Sequence, residues 1–136
     1  MKKYINTSII YALLAMVAGV FYREVTKFMN FQGVTILAKV HSHLFVLGMV
    51  FFLIIYLLSL GLNYKSIKII DKFLMAYNVG LIITVLMMEI RGVGEVLQVN
   101  TSGTHMYMIS GLAGFGHMIL GSSIILVLLE LRKLSK

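Results

Sequence analysis

Four long apolar segments, near residues 5–28, 34–62, 72–97 and 106–131, constrain this chain more than any other feature. Each is longer than the roughly 20 residues that an α-helix needs to cross the hydrocarbon core of a bilayer. None shows the strict alternation of a strand, and a bilayer admits only helices or closed barrels. The sequence therefore predicts an all-α integral membrane four-helix bundle, with residues 1–136 forming a single transmembrane domain.

The composition agrees with a membrane protein and limits its partners. Of the 136 residues, 60% are hydrophobic and 12% are charged, whereas soluble domains are roughly 45–50% apolar. The net charge is +7, but the basic residues cluster at the ends of the apolar segments, where anionic lipid headgroups are the expected partner. We expect contact with membrane lipids and no nucleic acid. Because the chain has no Cys, any metal ligand must be His, Met or a carboxylate.

Lysine and arginine are distributed unequally between the two ends of the predicted bundle. One end collects Lys2, Lys3, Lys65, Lys68, Lys72, Arg132, Lys133 and Lys136, and the other has Arg23, Lys27, Lys39 and Arg91. Short connectors make successive helices antiparallel, and cytoplasmic loops carry the excess of positive charge. The sequence therefore predicts that both termini are cytoplasmic.

Several polar residues lie at one predicted depth in the outer half of the bilayer. Counting about 1.5 Å per residue from the middle of each segment places His41, His43 and three charged residues about five to seven residues outside the midplane. The simplest interpretation is that the charged side chains at this level form two structural ion pairs among Arg23, Glu24, Glu89 and Arg91. Ionisable residues within a span normally face the bundle interior and pair with one another.

His117 differs because it lies near the midplane of the fourth segment. Gly111, Gly114 and Gly121 recur with it at steps of three and four residues, which gives one helix face with little side-chain volume. Such a face is typical of close helix packing, and it would also leave room for a flat macrocycle. His105 is predicted to be a surface loop residue.

The second segment contains two histidines on different faces. His41 shares with Gly48 the face that we expect to point into the bundle, and His43 is rotated by about 200° from His41. The two therefore cannot easily bind one metal together. The predicted face favours His41 as the interior ligand, whereas depth slightly favours His43; the first choice is His41, followed closely by His43.

A porphyrin iron fits these residues. Imidazole is a usual axial ligand, and an apolar helical cavity suits the ring. The second and fourth helices run in the same direction, so haem b between His117 and His41 or His43 is one hypothesis, and ligation by a single histidine is another. Arg23 and Arg91 are suited to the two propionates. Tyr22 and Thr35 would be additional donors.

Three stretches, "GVFYREVTKFMNFQGVTILAKVHSHLFVLGM", "IRGVG" and "GLAGFGHMILG", resemble the clostridial haem-sensing membrane protein A type of small four-helix bacterial membrane proteins. The resemblance rests on Tyr22, Arg23, Glu24, His41, His43, Gly48, Arg91, Gly114, Gly116 and His117. It implies haem binding, haem capture and protection from oxidative stress in the bacterial cytoplasmic (inner) membrane. It does not identify the histidines that bind iron.

Two other functions fit the sequence. The chain has 10 Met, and "THMYM" clusters His105, Met106 and Met108, so copper handling is one alternative. The other is a transporter or assembly subunit without a cofactor, in which the Arg and Glu residues move protons or anions. Enzymatic turnover, a quinone site and a homo-oligomer are left open by the sequence.

Overall fold

The computed structural model describes residues 2–62, 64–99 and 103–134, and within these ranges the side chains of 64–66, 104–106 and 134 are not described. The described residues form four long helices and contain no strand. We number the helices α1 (Lys2–Phe28), α2 (Ile36–Ser59), α3 (Tyr64–Val96) and α4 (Thr104–Leu134). This confirms the predicted all-α four-helix fold. Helix α3 begins earlier than the third apolar segment, so that residues 64–71 are helical rather than part of a connector.

All four helices are long and apolar enough to cross a bilayer. Large aliphatic side chains cover their outer surfaces, as illustrated by Val17, which is 65% exposed, and Met118, which is 70% exposed. Such a surface would be unfavourable in water but is suited to contact with lipid. The chain is therefore a multi-pass membrane protein.

The helices are connected in the bundle by a small number of polar cross-links. In α1, the Tyr4 hydroxyl donates to Asp71 at 2.7 Å and the Tyr11 hydroxyl donates to Asn78 at 2.6 Å. The two residues of each pair are separated by the same 67 positions in the chain, so α1 and α3 run in the same direction. Helix α1 packs against α2, α2 packs against α3, and α4 packs mainly against α3. We call the half of the bundle that contains Arg23, Lys39 and Arg91 the upper half.

Helix α2 is irregular in its upper part. It begins with a 3₁₀ turn at Ile36–Lys39, and a π-helical segment at Leu44–Val50 follows the two histidines. Backbone carbonyls left without regular α-helical partners need other donors inside a bilayer. Two side chains provide them: the Tyr77 hydroxyl donates to the Leu47 carbonyl at 2.6 Å, and the Ser8 hydroxyl donates to the Met49 carbonyl at 2.8 Å.

The glycines that allow two helices to approach closely are not those of the predicted stripe on α4. A Cβ atom at Gly80 would lie 2.7 Å from the Leu120 nitrogen and 2.9 Å from the Gly116 carbonyl oxygen, so α3 and α4 meet there backbone to backbone. The predicted stripe of Gly111, Gly114 and Gly121 has no atom within 4 Å of any such Cβ. The sequence pattern identified the glycine-rich helix but not the face that packs.

We expect Gly80→Ala to destabilise the bundle by about 1–3 kcal/mol, because the added methyl group would meet the backbone of α4, which cannot move aside. The measurement is unfolding in mild detergent on titration with a denaturing detergent, followed by circular dichroism. Gly111→Ala is the matched control and should leave stability nearly unchanged. Equal loss in both variants would contradict the close contact.

Candidate functional site

The upper half of the bundle contains a partly open cleft of about 290 Å³ between the beginning of α2, the upper part of α3 and α4. Its polar lining residues are Lys39, His43, Arg91, Ser110 and His117, and its apolar lining includes Met87 and Met88. We call this space the histidine cleft. It brings together three residues that the sequence predicted as site residues on three different helices: His43, Arg91 and His117.

The two imidazoles of the cleft, one from α2 and one from α4, lie close together in an edge-on arrangement. The ring centroids of His43 and His117 are 6.4 Å apart, and the ring planes are nearly perpendicular, at 85°. His43 is half-buried, whereas His117 is exposed on the open side of the cleft. Helix packing therefore brings His117 next to His43, one of the two α2 histidines that the sequence offered as its partner.

Both histidines have the same local hydrogen bond, which sets their tautomer. The Nδ1 of His43 lies 3.0 Å from the Lys39 carbonyl oxygen, and the Nδ1 of His117 lies 2.8 Å from the Ala113 carbonyl oxygen. A carbonyl oxygen can only accept, so each Nδ1 carries the proton in a neutral ring and each Nε2 keeps a lone pair. This is the arrangement that metal-binding histidines commonly have.

The distance between the two ring centroids can be compared with that of two imidazoles bound to one metal. Two imidazoles on opposite sides of one metal have centroids about 6 Å apart, given metal–nitrogen bonds of about 2 Å and a ring radius of about 1 Å. The observed 6.4 Å agrees with this value. No three His, Asp or Glu side chains cluster as a metal site within the described parts of the chain. The cleft therefore offers two imidazoles and, from Met87 and Met88, two thioethers.

Glu95 orients the guanidinium group of Arg91 beside the cleft and connects α2 to α3. Its carboxylate accepts from Arg91 Nε at 2.9 Å and from the Ile36 backbone N–H at 2.8 Å. The Arg91 side chain remains 44% exposed, so its other guanidinium donors are accessible. Lys39 adds a second, exposed cation to the lining.

Thr35 stabilises the start of α2 and does not line the cleft. It is buried, its hydroxyl donates to the Gly92 carbonyl at 3.1 Å, and the same oxygen accepts from the Leu37 backbone N–H at 3.2 Å. A Cβ at Gly92 would lie 2.6 Å from the Leu37 nitrogen, so the two backbones are in close contact. This contact positions the first turn of α2, which directly precedes the turn that contains His43.

His41 lies outside the histidine cleft. It packs at the interface of α1 and α2, where a Cβ at Gly19 would be 3.8 Å from the His41 side chain. Its Nδ1 is buried and has no hydrogen-bond partner among the described residues. The two histidines of α2 occupy different faces, as the helical spacing predicts, but the face of His41 meets α1 and that of His43 meets His117.

The other predicted cofactor-binding residues do not line the cleft. A Cβ at Gly48 would lie 2.5 Å from the Tyr11 ring, so this glycine permits the close contact of α1 and α2. Tyr22 packs against the core, and the Arg23 side chain is 78% exposed. Gly114, on α4, faces open space.

The predicted ion pairs are only partly present. Arg23 approaches Glu24, with 3.9 Å between Nε and Oε1, but Arg91 binds Glu95 and not Glu89. Glu95 is four residues after Arg91, one turn along the same helix, which explains the preference. Glu89 is left without a hydrogen bond or ion pair among the residues that the structure describes.

Sequence reasoning missed several residues of the cleft. Lys39 precedes His43 by four residues and therefore shares its helix face, which was a usable signal. Met87, Met88 and Ser110 could not be found in this way, because only the packing of α3 and α4 brings them to the histidines. Of the predicted copper cluster, Met108 does not line the cleft and is 59% exposed, and the side chains of His105 and Met106 lie outside the described residues.

The fold and the cleft define a class of protein: a multi-pass four-helix membrane bundle with a pair of histidines in its upper half. The chain belongs to a family described as a protein of unknown function, DUF2871, whose model matches residues 1–134. No significant match was found among curated proteins or among solved structures.

We expect Glu95→Ala to destabilise the bundle by about 1–3 kcal/mol, because the Ile36 N–H loses its partner. Glu24→Ala is the matched control and should cost about 0–1 kcal/mol, as for other exposed ion pairs. Denaturing-detergent titration of both variants measures the difference. A Glu24 variant as unstable as the Glu95 variant would refute this role of Glu95.

Proposed function

We propose that this protein is a membrane haemoprotein that holds one haem b in the histidine cleft, with His43 and His117 as the axial ligands. The observation that carries the proposal is the matched geometry of these two rings. Each donates its Nδ1–H to the carbonyl one turn earlier, and the rings lie 6.4 Å apart in one cleft. Each Nε2 therefore has a lone pair available for iron.

The residues of the cleft suit haem in three respects. Neutral imidazoles are common axial ligands of haem iron. Methionine and aliphatic side chains of α3 and α4 provide an apolar wall for a macrocycle. Arg91 and Lys39 supply cations for the propionates, and the fork of Arg91 is oriented by Glu95. In this proposal Arg91 keeps its predicted role as a partner of the propionates. Lys39 replaces Arg23 in that role, and His43 replaces His41 as the iron ligand.

Haem bound in this way would supply one-electron redox chemistry or a stored prosthetic group. Two histidine ligands occupy both axial positions, which favours electron transfer or storage over the binding of oxygen. We therefore propose haem capture for sequestration and for redox or oxidative-stress protection. The resemblance to the clostridial haem-sensing membrane protein A type supports this role. It also supports placement in the bacterial cytoplasmic membrane, and the lysine and arginine distribution favours cytoplasmic termini.

The proposal predicts the absorption spectrum of protein purified in mild detergent from haem-fed cells. We expect the wild type to show a six-coordinate, low-spin Soret spectrum. His43→Ala and His117→Ala should each lose the low-spin form and bind haem at least about tenfold more weakly, because one strong ligand is removed. His41→Ala, two residues away, is the matched control and should keep the wild-type spectrum.

Different results would contradict the assignment of His43 as a ligand and the proposal that the protein binds haem. If His41→Ala loses the low-spin form and His43→Ala keeps it, haem binds in another place and the assignment to His43 is wrong. If the wild type and all three variants bind no haem, or bind it identically, the haemoprotein proposal is wrong.

A separate prediction concerns the propionates. We expect Arg91→Ala to weaken haem binding by about tenfold without changing the spin state, because it removes a charge-assisted contact but no ligand. The rate of haem transfer to apomyoglobin measures how fast each protein loses haem, and we expect faster loss from Arg91→Ala. Arg23→Ala is the control and should behave as the wild type, since Arg23 does not line the cleft. Identical transfer rates in all three proteins would remove Arg91 from the proposed site.

One observation favours copper handling as a second candidate. Met87 and Met88 line the same cleft as His43 and His117, and thioethers together with imidazoles are ligands for Cu(I). Anaerobic titration of haem-free protein with Cu(I) tests this function, with Met87→Leu and Met88→Leu as variants. Stoichiometric binding that either variant loses, in a protein that takes up no haem, would favour copper.

A further inference from the structure

A second space lies between α1 and α3. This groove has a volume of about 350 Å³. Its walls are almost entirely aliphatic and aromatic, with Leu14, Val17 and Phe21 from α1 and Ile82 from α3. Glu89 is the one acidic side chain among the described residues that line it. We call this space the Glu89 groove.

The carboxylate in this groove has no partner among the residues that the structure describes. The two arginines of the upper half approach other carboxylates: Arg23 lies 3.9 Å from Glu24, and Arg91 lies 2.9 Å from Glu95. Within the described ranges, Glu89 makes no hydrogen bond and no ion pair. Acidic residues in a membrane span usually pair with another group or mark a substrate or ion pathway. Since no described side chain compensates this carboxylate, the groove is suited to a ligand that does.

The groove also has an aromatic ring at the level of the carboxylate. The cross-links of Tyr4 to Asp71 and of Tyr11 to Asn78 set the register of α1 along α3. The same register places Phe21 close to the level of Glu89, and both residues line the groove. A ring face and a carboxylate together attract a positive charge in an apolar setting more strongly than either does alone.

A neutral ligand would fit this arrangement less well. A hydroxyl group, such as that of a quinol, would give the carboxylate a hydrogen bond but leave its charge uncompensated. A cation compensates the charge and can also contact the ring of Phe21. The remaining lining, from Leu14 and Val17 to Ile82, offers only apolar contact to the rest of the ligand. The chemistry thus combines one cationic group with an apolar body.

We propose that the Glu89 groove binds a lipophilic organic cation from the bilayer. The positive charge lies beside Glu89 and Phe21, and the apolar body packs between α1 and α3. The site is separate from the histidine cleft, and its ligand does not depend on haem. Met88 lines the histidine cleft and Glu89 lines the groove, so the two sites occupy different sides of α3.

Equilibrium dialysis of the full chain in mild detergent tests this proposal with tetraphenylphosphonium as the probe. Triphenylphosphine oxide, a neutral molecule with similar aromatic groups, is the matched ligand control. We expect the wild type to bind the cation at least about tenfold more tightly than the neutral compound, and Glu89→Gln to lose at least about tenfold in affinity for the cation. Glu24→Gln, an acidic residue outside the groove, should bind as the wild type does.

Ile82→Trp provides a test that keeps the carboxylate. Ile82 is 50% exposed on the groove wall, so the larger side chain should block the groove without disturbing the core. We expect it to weaken cation binding by at least about tenfold. If Glu89→Gln does not fold, Glu89→Asp replaces it and should bind the cation more tightly than Ile82→Trp does.

Three results would overturn the proposal. The first is the absence of saturable binding of the cation by the wild type. The second is equal affinity of the wild type and Glu89→Gln for the cation. The third is equal affinity of the wild type for the cationic and neutral probes. The third result would indicate a neutral apolar ligand, such as a quinone or a lipid chain. The Soret spectrum is recorded on the same samples. Its presence or absence reports on haem and leaves the conclusion about Glu89 unchanged.

Discussion

The close contact of α3 with its two neighbours is the interaction on which the rest of the structure depends. Gly92 lets α3 meet the first turn of α2 at the backbone of Leu37, and Gly80 lets it meet α4 at the backbone near Gly116. Both contacts are too close for a side chain, so van der Waals packing rather than hydrophobic burial stabilises them, as is usual inside a bilayer. They hold His43 and His117, on two different helices, within one cleft.

The irregular backbone of α2 is the second constraint, and it lies directly beside the proposed site. π-helical segments are rare and occur frequently at functional sites. Here Tyr77 and Ser8 donate to that segment, while Thr35 and Glu95 secure the turn before the histidines. The four interactions come from α1, α3 and the entry to α2, so the orientation of His43 depends on the whole bundle.

Helix α3 separates two spaces with different chemistry. The histidine cleft has two imidazoles and accessible cations, which suit an anionic macrocycle with a metal at its centre. The Glu89 groove has an aromatic ring and one carboxylate that no other described side chain pairs with, which suit a positively charged, lipid-soluble molecule. The division follows from the pairing of Arg91 with Glu95. It orients the Arg91 guanidinium beside the histidine cleft and leaves Glu89, in the other space, without a partner among the described residues.

The sequence by itself determined the four apolar helices, the antiparallel order of successive helices and the level of the polar residues, because these follow from segment length, connector length and rise per residue. It also separated His41 from His43, since their spacing places them on different faces. Only the tertiary structure decided which histidine meets His117, which glycines pack and which carboxylate binds Arg91. A helical wheel gives the angle between two residues on one helix but not the helix that each face meets, and the π-helical segment of α2 further shifts the faces below the histidines.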